Sequence, residues 1–118
     1  MLNQRRIPTR PPEPVDADGF HNRGNRHGRN GSYEMAIADY NKAIEMDPTL
    51  ADAYYNRGIS FYEIERFDDS IADLTRAIDL NPDADHYYAQ RSLAYLFTDR
   101  MELAQADEDM CEEIRTRS

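Results

Sequence analysis

Three histidines (His21, His27 and His86), one cysteine (Cys111) and 23 acidic side chains are the groups in this 118-residue chain able to ligate a metal or attack a substrate. Their spacing supports neither use. The histidines lack the paired spacing of a zinc site, and Cys111 has no histidine near it in sequence. The glycine-rich run GNRHGRNG, residues 24–31, lacks the Lys-Ser or Lys-Thr ending of a phosphate loop and falls where a helix is expected. The carboxylates are distributed as on solvated helix faces. No catalytic residue, metal or cofactor is assigned, and the chain is expected to act without turnover. Side-chain amides remain: Asn25 and Asn56 each offer a donor and an acceptor, which suits the backbone of an extended ligand.

The elements that position these groups are bounded by composition. With 14 Lys or Arg against 23 Asp or Glu, the formal net charge is -9. That field repels a phosphate backbone, so nucleic acid is not the expected partner. No run of about 18 apolar residues occurs, which argues against a membrane span. The opening MLNQRRIPTR has charge without the apolar stretch of a secretory signal. A single thiol excludes an internal disulfide and, with no signal visible, favours a cytoplasmic setting. The length suits one domain.

An internal repeat organises the chain. FHNRG at Phe20 recurs as YYNRG at Tyr54 and as YAQRS at Tyr88, with the same step each time. Downstream, AIADYNKAIEMDP from Ala36 aligns with SIADLTRAIDLNP from Ser70 and, more loosely, with AQADEDMCEEI from Ala104. Three units of equal length therefore fill 17–50, 51–84 and 85–118. In unit two, Tyr54, Gly58 and Phe61 form one helical stripe, and Phe67, Ser70, Leu74 and Ala77 form another. Each unit is two helices, with turns around Glu65 and Asp99. Asp47-Pro48 and Asn81-Pro82 end the second helices, and Thr49 with Asp52 has the spacing of a capping box that would start the next. Small residues recur where helices approach closely: Gly24, Gly58 and Ser92, then Ala36, Ser70 and Ala104. Arg23, Arg57 and Arg91 each stand at one fixed interval ahead of an acid, Asp39, Asp73 and Asp107 respectively. That spacing predicts a bridge inside every unit, which if exposed would set register more than add stability.

The order Tyr54, Gly58, Phe61, Phe67, Ser70, Ala77, Pro82 resembles the tetratricopeptide repeat, and the resemblance covers residues 17–118. It departs in unit one, where His27 takes the slot of Phe61 and Tyr95, and in unit three, which has no terminal proline. The resemblance implies an all-α, right-handed α-solenoid of three helix-turn-helix repeats, about six antiparallel helices. It also implies a protein-binding scaffold whose first helices line a concave groove. A peptide or protein segment is the expected partner. In that groove Tyr55, Ile59 and Tyr62 of unit two, and Ala89, Leu93, Leu96 and Phe97 of unit three, offer more apolar surface than His21, Asn25 and Gly28 of unit one. Aromatic side chains at such places anchor partners, although some must also pack between neighbouring helices. Members that grip acidic C-terminal tails of heat-shock chaperones use two asparagines with basic residues. Asn25 and Asn56 match, but His21, His86 and Gln90 stand where those members carry Lys, Lys and Arg. Without fixed positive charge, a co-chaperone-like grip on a carboxylate is weak near pH 7.

The two ends differ. In unit three Gln105, Glu108 and Glu112 replace Ile37/Ile71, Tyr40/Leu74 and Ile44/Ile78, so the last helix is expected to close the stack by itself. In unit one the run GFHNRGNRHGRNG holds four of the five glycines, each costing about 1 kcal/mol relative to Ala inside a helix, so the first helix is expected to fray. Self-association through that end, giving a homo-oligomer, is the alternative use. Ahead of it, residues 1–16 read as a flexible Pro/Arg-rich arm. Residues 1–31 hold six Arg and three acids, against eight Lys or Arg and twenty acids in 32–118. A basic arm before an acidic body can fold back or reach another acidic surface; a solvated tail is the simpler reading. Arg5, Pro8 and Pro11 also have the spacing of a proline-helix ligand.

Overall fold

Apolar residues at three- and four-residue steps make helices, and each repeat unit makes two of them. The computed structural model describes residues 12–117, where six helices follow one another: α1 (Ala17–Arg29), α2 (Tyr33–Met46), α3 (Ala51–Glu63), α4 (Phe67–Leu80), α5 (Asp85–Phe97) and α6 (Met101–Thr116). No strand occurs among the described residues. Short turns make each pair an antiparallel hairpin: α1 packs on α2, α3 on α4 and α5 on α6, and the hairpins stack through α2 on α3 and α4 on α5. The first helices also touch in series, α1 to α3 to α5, and so share one side of the stack. The solenoid measures 71 × 30 × 24 Å. The spacing of Arg5, Pro8 and Pro11 lies outside the described residues.

Each hairpin turns through one left-handed residue, and the three recur in phase: Gly31 (φ 78°), Glu65 (φ 64°) and Asp99 (φ 58°). The next amide reaches back to the first helix in every case. Ser32 N donates to His27 O at 2.9 Å, Arg66 N to Phe61 O at 2.8 Å and Arg100 N to Tyr95 O at 2.9 Å. This six-to-one bond closes a helix C-terminus, and only Gly31 adopts the conformation without a Cβ penalty. Between hairpins, Pro48 and Pro82 stop α2 and α4, and the hydroxyls of Tyr54 and Tyr88 donate to their carbonyls at 3.2 and 3.0 Å. Thr116 occupies that proline slot in unit three, and α6 runs on to it.

The Thr49–Asp52 capping box does not form. The cap residue of α3 is Leu50, without a side-chain bond. The Thr49 amide and hydroxyl donate to Asp47 at 3.0 and 2.6 Å instead, because a turn two residues back satisfies threonine locally. Asp52 is left to accept the hydroxyl of Tyr87 from the next repeat. Helix α1, despite its glycines, runs unbroken, and its N-cap Asp16 accepts Gly19 N–H at 2.8 Å.

The small-residue slots are closed. A Cβ on Gly24 would stand 2.7 Å from the Tyr40 ring, and one on Gly58 3.0 Å from Leu74. Ala36, Ser70, Ser92 and Ala104 are all buried. Ser70 Oγ, set where units one and three carry alanine, is the one buried side-chain polar atom among the described residues without a hydrogen-bond partner. All three expected bridges form, each bidentate: Arg23 to Asp39 at 2.8 and 2.8 Å, Arg57 to Asp73 at 2.7 and 2.7 Å, and Arg91 to Asp107 at 2.8 and 2.6 Å. They are not exposed pairs. Asp39, Asp73 and Asp107 are 5%, 6% and 4% accessible, so removing one partner strands a buried charge. Burial pushes the Asp73 carboxyl up against the opposing pull of Arg57, offsetting part of the attraction.

Candidate functional site

The first helices present one face to the inner side of the stack, and structural slots recur along it once per repeat. His21, Tyr55 and Ala89 share one slot; Asn25, Ile59 and Leu93 share the next. Gly28, Tyr62 and Leu96 follow, then Arg29, Glu63 and Phe97. Within each helix these positions fall about one turn apart and hence on one stripe.

At the unit-one end a chain of hydrogen bonds joins two repeats. Tyr40 Oη donates to Asn25 Oδ1 at 2.7 Å, and Asn56 Nδ2 donates to the same oxygen at 3.1 Å. Asn56 Nδ2 also lies 3.0 Å from His21 Nε2, which accepts when the imidazole is neutral with its proton on Nδ1. Burial holds His21 below the ordinary histidine value of 6.5, against the pull of Asp52 and then Asp18. Burial also pushes the Tyr40 phenol up to about 12, so it remains a donor at neutral pH. The network thus fixes both amides and uses both hydrogens of Asn56 Nδ2, while burial favours the uncharged form of His21. A cleft of about 370 Å³ opens beside it, lined by Asn25, Gly28, Arg29, Tyr33, Tyr40, Asn56, Ile59 and Glu63.

Further along, aromatic rings take over. Tyr55 meets His86 edge to face at 4.9 Å and Tyr87 at 5.0 Å. Tyr62 meets Phe67 and Phe97 edge to face at 5.5 and 5.7 Å, and Phe97 stacks on Phe67 at 5.2 Å. Phe97 remains 64% accessible and Leu93 43%. His86 is exposed, with Asp85 3.6 Å away, and Gln90 is half-buried. Leu93 lines a separate cleft of about 370 Å³ at the open end of the stack, with Ala89, Ser92, Glu108, Cys111, Glu112 and Arg115. The structure therefore brings His21, Asn25, Asn56 and Ile59 together in one place, Tyr55 with His86 in a second, and Tyr62 with Phe97 in a third.

Sequence reasoning missed Arg29, Glu63, Tyr40 and Phe67. For the first two the signal was available, since stepping back by one repeat from Phe97 reaches Glu63 and by a second reaches Arg29. Tyr40 occupies a second-helix core slot shared with Leu74, and only its hydroxyl distinguishes it. Among the described residues no group of His, Cys, Asp and Glu could hold a metal, and no helix is long and apolar enough to cross a membrane.

Two family models match this helical repeat: one described as a TPR repeat over residues 24–65 and one as the tetratricopeptide repeat over 51–84. The chain belongs to the tetratricopeptide repeat family. Among solved TPR structures, the second TPR of Spaghetti (RPAP3), bound to the HSP90 peptide SRMEEVD, is 27% identical with a TM-score of 0.82; the match covers 84% of this chain and 92% of that one. The Arabidopsis OM64 TPR domain is 23% identical with a TM-score of 0.81, over 83% of this chain and 81% of that one. MamA is 22% identical with a TM-score of 0.82, over 85% of this chain and 58% of that one. The last two likenesses describe the fold. No curated protein matches the chain significantly.

Proposed function

We propose that this TPR chain is a non-enzymatic interaction module that holds an extended segment of another protein against α1, α3 and α5. The binding domain spans 17–118, with 1–16 as an appended arm. One observation carries the reading: Asn25 and Asn56, from consecutive repeats, are locked side by side at the mouth of a cleft. Among the described residues their bonds leave Asn56 Oδ1 and Asn25 Nδ2 without an intramolecular partner. An acceptor and a donor so placed match the N–H and C=O of an extended backbone. Tyr55, Ile59, Tyr62 and Phe97 supply apolar anchors along the same side, each large one worth about 1 to 3 kcal/mol when covered.

The TPR relative bound to SRMEEVD supports a peptide as the ligand class, but the local chemistry favours a different peptide. A tail rich in carboxylates needs fixed cations, and His21 is held neutral while the Asn56 amide hydrogens are already engaged. Arg29 lines the cleft with Glu63, so its charge is offset. The expected ligand is a neutral segment with aromatic or aliphatic side chains spaced along the groove.

The test is affinity capture with wild type beside a Tyr55→Ala/Ile59→Ala/Tyr62→Ala variant, with far-UV circular dichroism as the folding control. Loss of a specific captured protein by the folded variant supports the reading. Undiminished capture rejects the groove. Titration with SRMEEVD should show little binding at pH 7 and more as the pH falls through the lowered value of His21, where that imidazole gains its charge. Tight binding at pH 7 would restore the acidic-tail reading.

A further inference from the structure

We propose that a second copy of this chain stacks head to tail on the first, with α1 of one copy seated on the open end formed by α5 and α6 of the other. The inference does not depend on the groove. It starts from a bond the molecule makes twice. At the first internal junction Arg57 Nη1 donates across to Asn41 Oδ1 at 2.8 Å, and at the second Arg91 Nη1 donates to Thr75 Oγ1 at 3.1 Å. Donors and acceptors are both one repeat apart, so the series extends by register to Arg23 as the earlier donor and Asp109 as the later acceptor. Within the chain these two stand at opposite ends. Arg23 Nη1 is met instead by Glu13 at 3.1 Å, a 71% exposed carboxylate. Among the described residues Asp109 receives only its helix neighbour Gln105, at 2.9 Å.

The surrounding slots change in a complementary way. At the internal junctions the slot of Arg26 holds Ser60 and Ala94, and the slot of Glu108 holds Tyr40 and Leu74, all four buried. At the open ends Arg26 and Glu108 are exposed and opposite in charge. Helix α1 carries three arginines and one aspartate, whereas α6 carries six acids and one arginine. The floor at the α5/α6 end is small and apolar, with Ala89, Ser92, Leu93 and Cys111 under a rim of Glu108, Glu112 and Arg115. An apolar helix would bury those carboxylates unpaired, which is costly. A basic helix neutralises them, and α1 is one already cut to the repeat's register. Because the two faces differ, the contact is heterologous and does not close, so it generates chains of copies.

Sedimentation velocity on the full chain, from about 10 μM to about 1 mM, tests this across the range of weak affinities. At about 0.01 M salt, where the Debye length is about 30 Å, the sedimentation coefficient should rise continuously with concentration. At about 1 M salt, with a length of about 3 Å, it should fall to the monomer value. Arg26→Glu and Glu108→Arg should each weaken association on the order of tenfold, since each places like charges together. The double variant should restore it. A Tyr55→Ala/Ile59→Ala/Tyr62→Ala variant should associate as wild type does. A wild type that stays monomeric in low salt overturns the proposal and leaves the acidic face to a basic helix of another protein. So does growth that stops at a dimer, or single variants that associate as well as wild type.

Discussion

Units one and two occupy the same slots with different chemistry. Unit one meets its neighbour through polar groups, with Tyr40, Asn25, Asn56 and His21 joined in sequence. Unit two meets unit three through rings, with Tyr55 against Tyr87 and His86. The slots that face the partner helix scarcely differ: Gly24 and Gly58, Ala36 and Ser70, Arg23–Asp39 and Arg57–Asp73. Packing dictates those positions, because a close-packed hairpin tolerates little change in volume. The inward slots answer to a ligand and to the next repeat, and there the units diverge.

The largest effect should come from the bridges. Asp73→Ala strands the half-buried Arg57 and should cost about 3 kcal/mol. Asp39→Ala should cost about 1 kcal/mol less, because Arg23 keeps Glu13. Equal losses in urea unfolding would erase the distinction between an outer and an inner repeat. Next, Gly24→Ala drives a Cβ into the Tyr40 ring and should cost about 2 kcal/mol despite the better helix former. It should also disturb the Tyr40 bond to Asn25, which amide NMR shifts of Asn25 and Asn56 would report.

Smaller changes should favour stability. Ser70→Ala removes the unpartnered hydroxyl and should gain about 1 kcal/mol, making unit two match Ala36 of unit one; a loss of stability would mean that Ser70 has a partner in solution. Glu65→Gly relieves a left-handed side chain where unit one already has Gly31. Less the entropy of a glycine, it should gain up to about 1 kcal/mol, read as a shift of the thermal midpoint. The smallest effect is on pH dependence. His21 has a folded value below its ordinary 6.5, so its contribution is complete above pH 6.5 and is lost as pH falls through the lowered value. A His21→Gln variant should show a flatter stability profile below pH 6.5, and an unchanged slope would remove His21 from the network.

Much of this was legible in the residues. The recurrence of FHNRG, YYNRG and YAQRS located three hairpins, the constant interval from each repeat arginine to its aspartate paired their helices, and Asp47-Pro48 marked a helix end. Thr49 was misread because two local partners competed for one hydroxyl, and spacing does not rank them. Asn25 and Asn56 stood out as amides suited to an extended ligand, but their bond to each other and to Tyr40 and His21 did not, since Tyr40 reaches Asn25 from α2 and His21 reaches Asn56 from α1.

The amino-acid order by itself determined which side chains share a helix face and which helices pair, because the helical turn and the repeat length are local and covalently enforced. Tertiary structure alone decided that Asp39, Asp73 and Asp107 are buried, that the Asn56 amide is engaged, and that the Tyr40 hydroxyl reaches Asn25. Those outcomes depend on distances between repeats. A few ångströms there separate a hydrogen bond from none, and no periodicity along the chain encodes them.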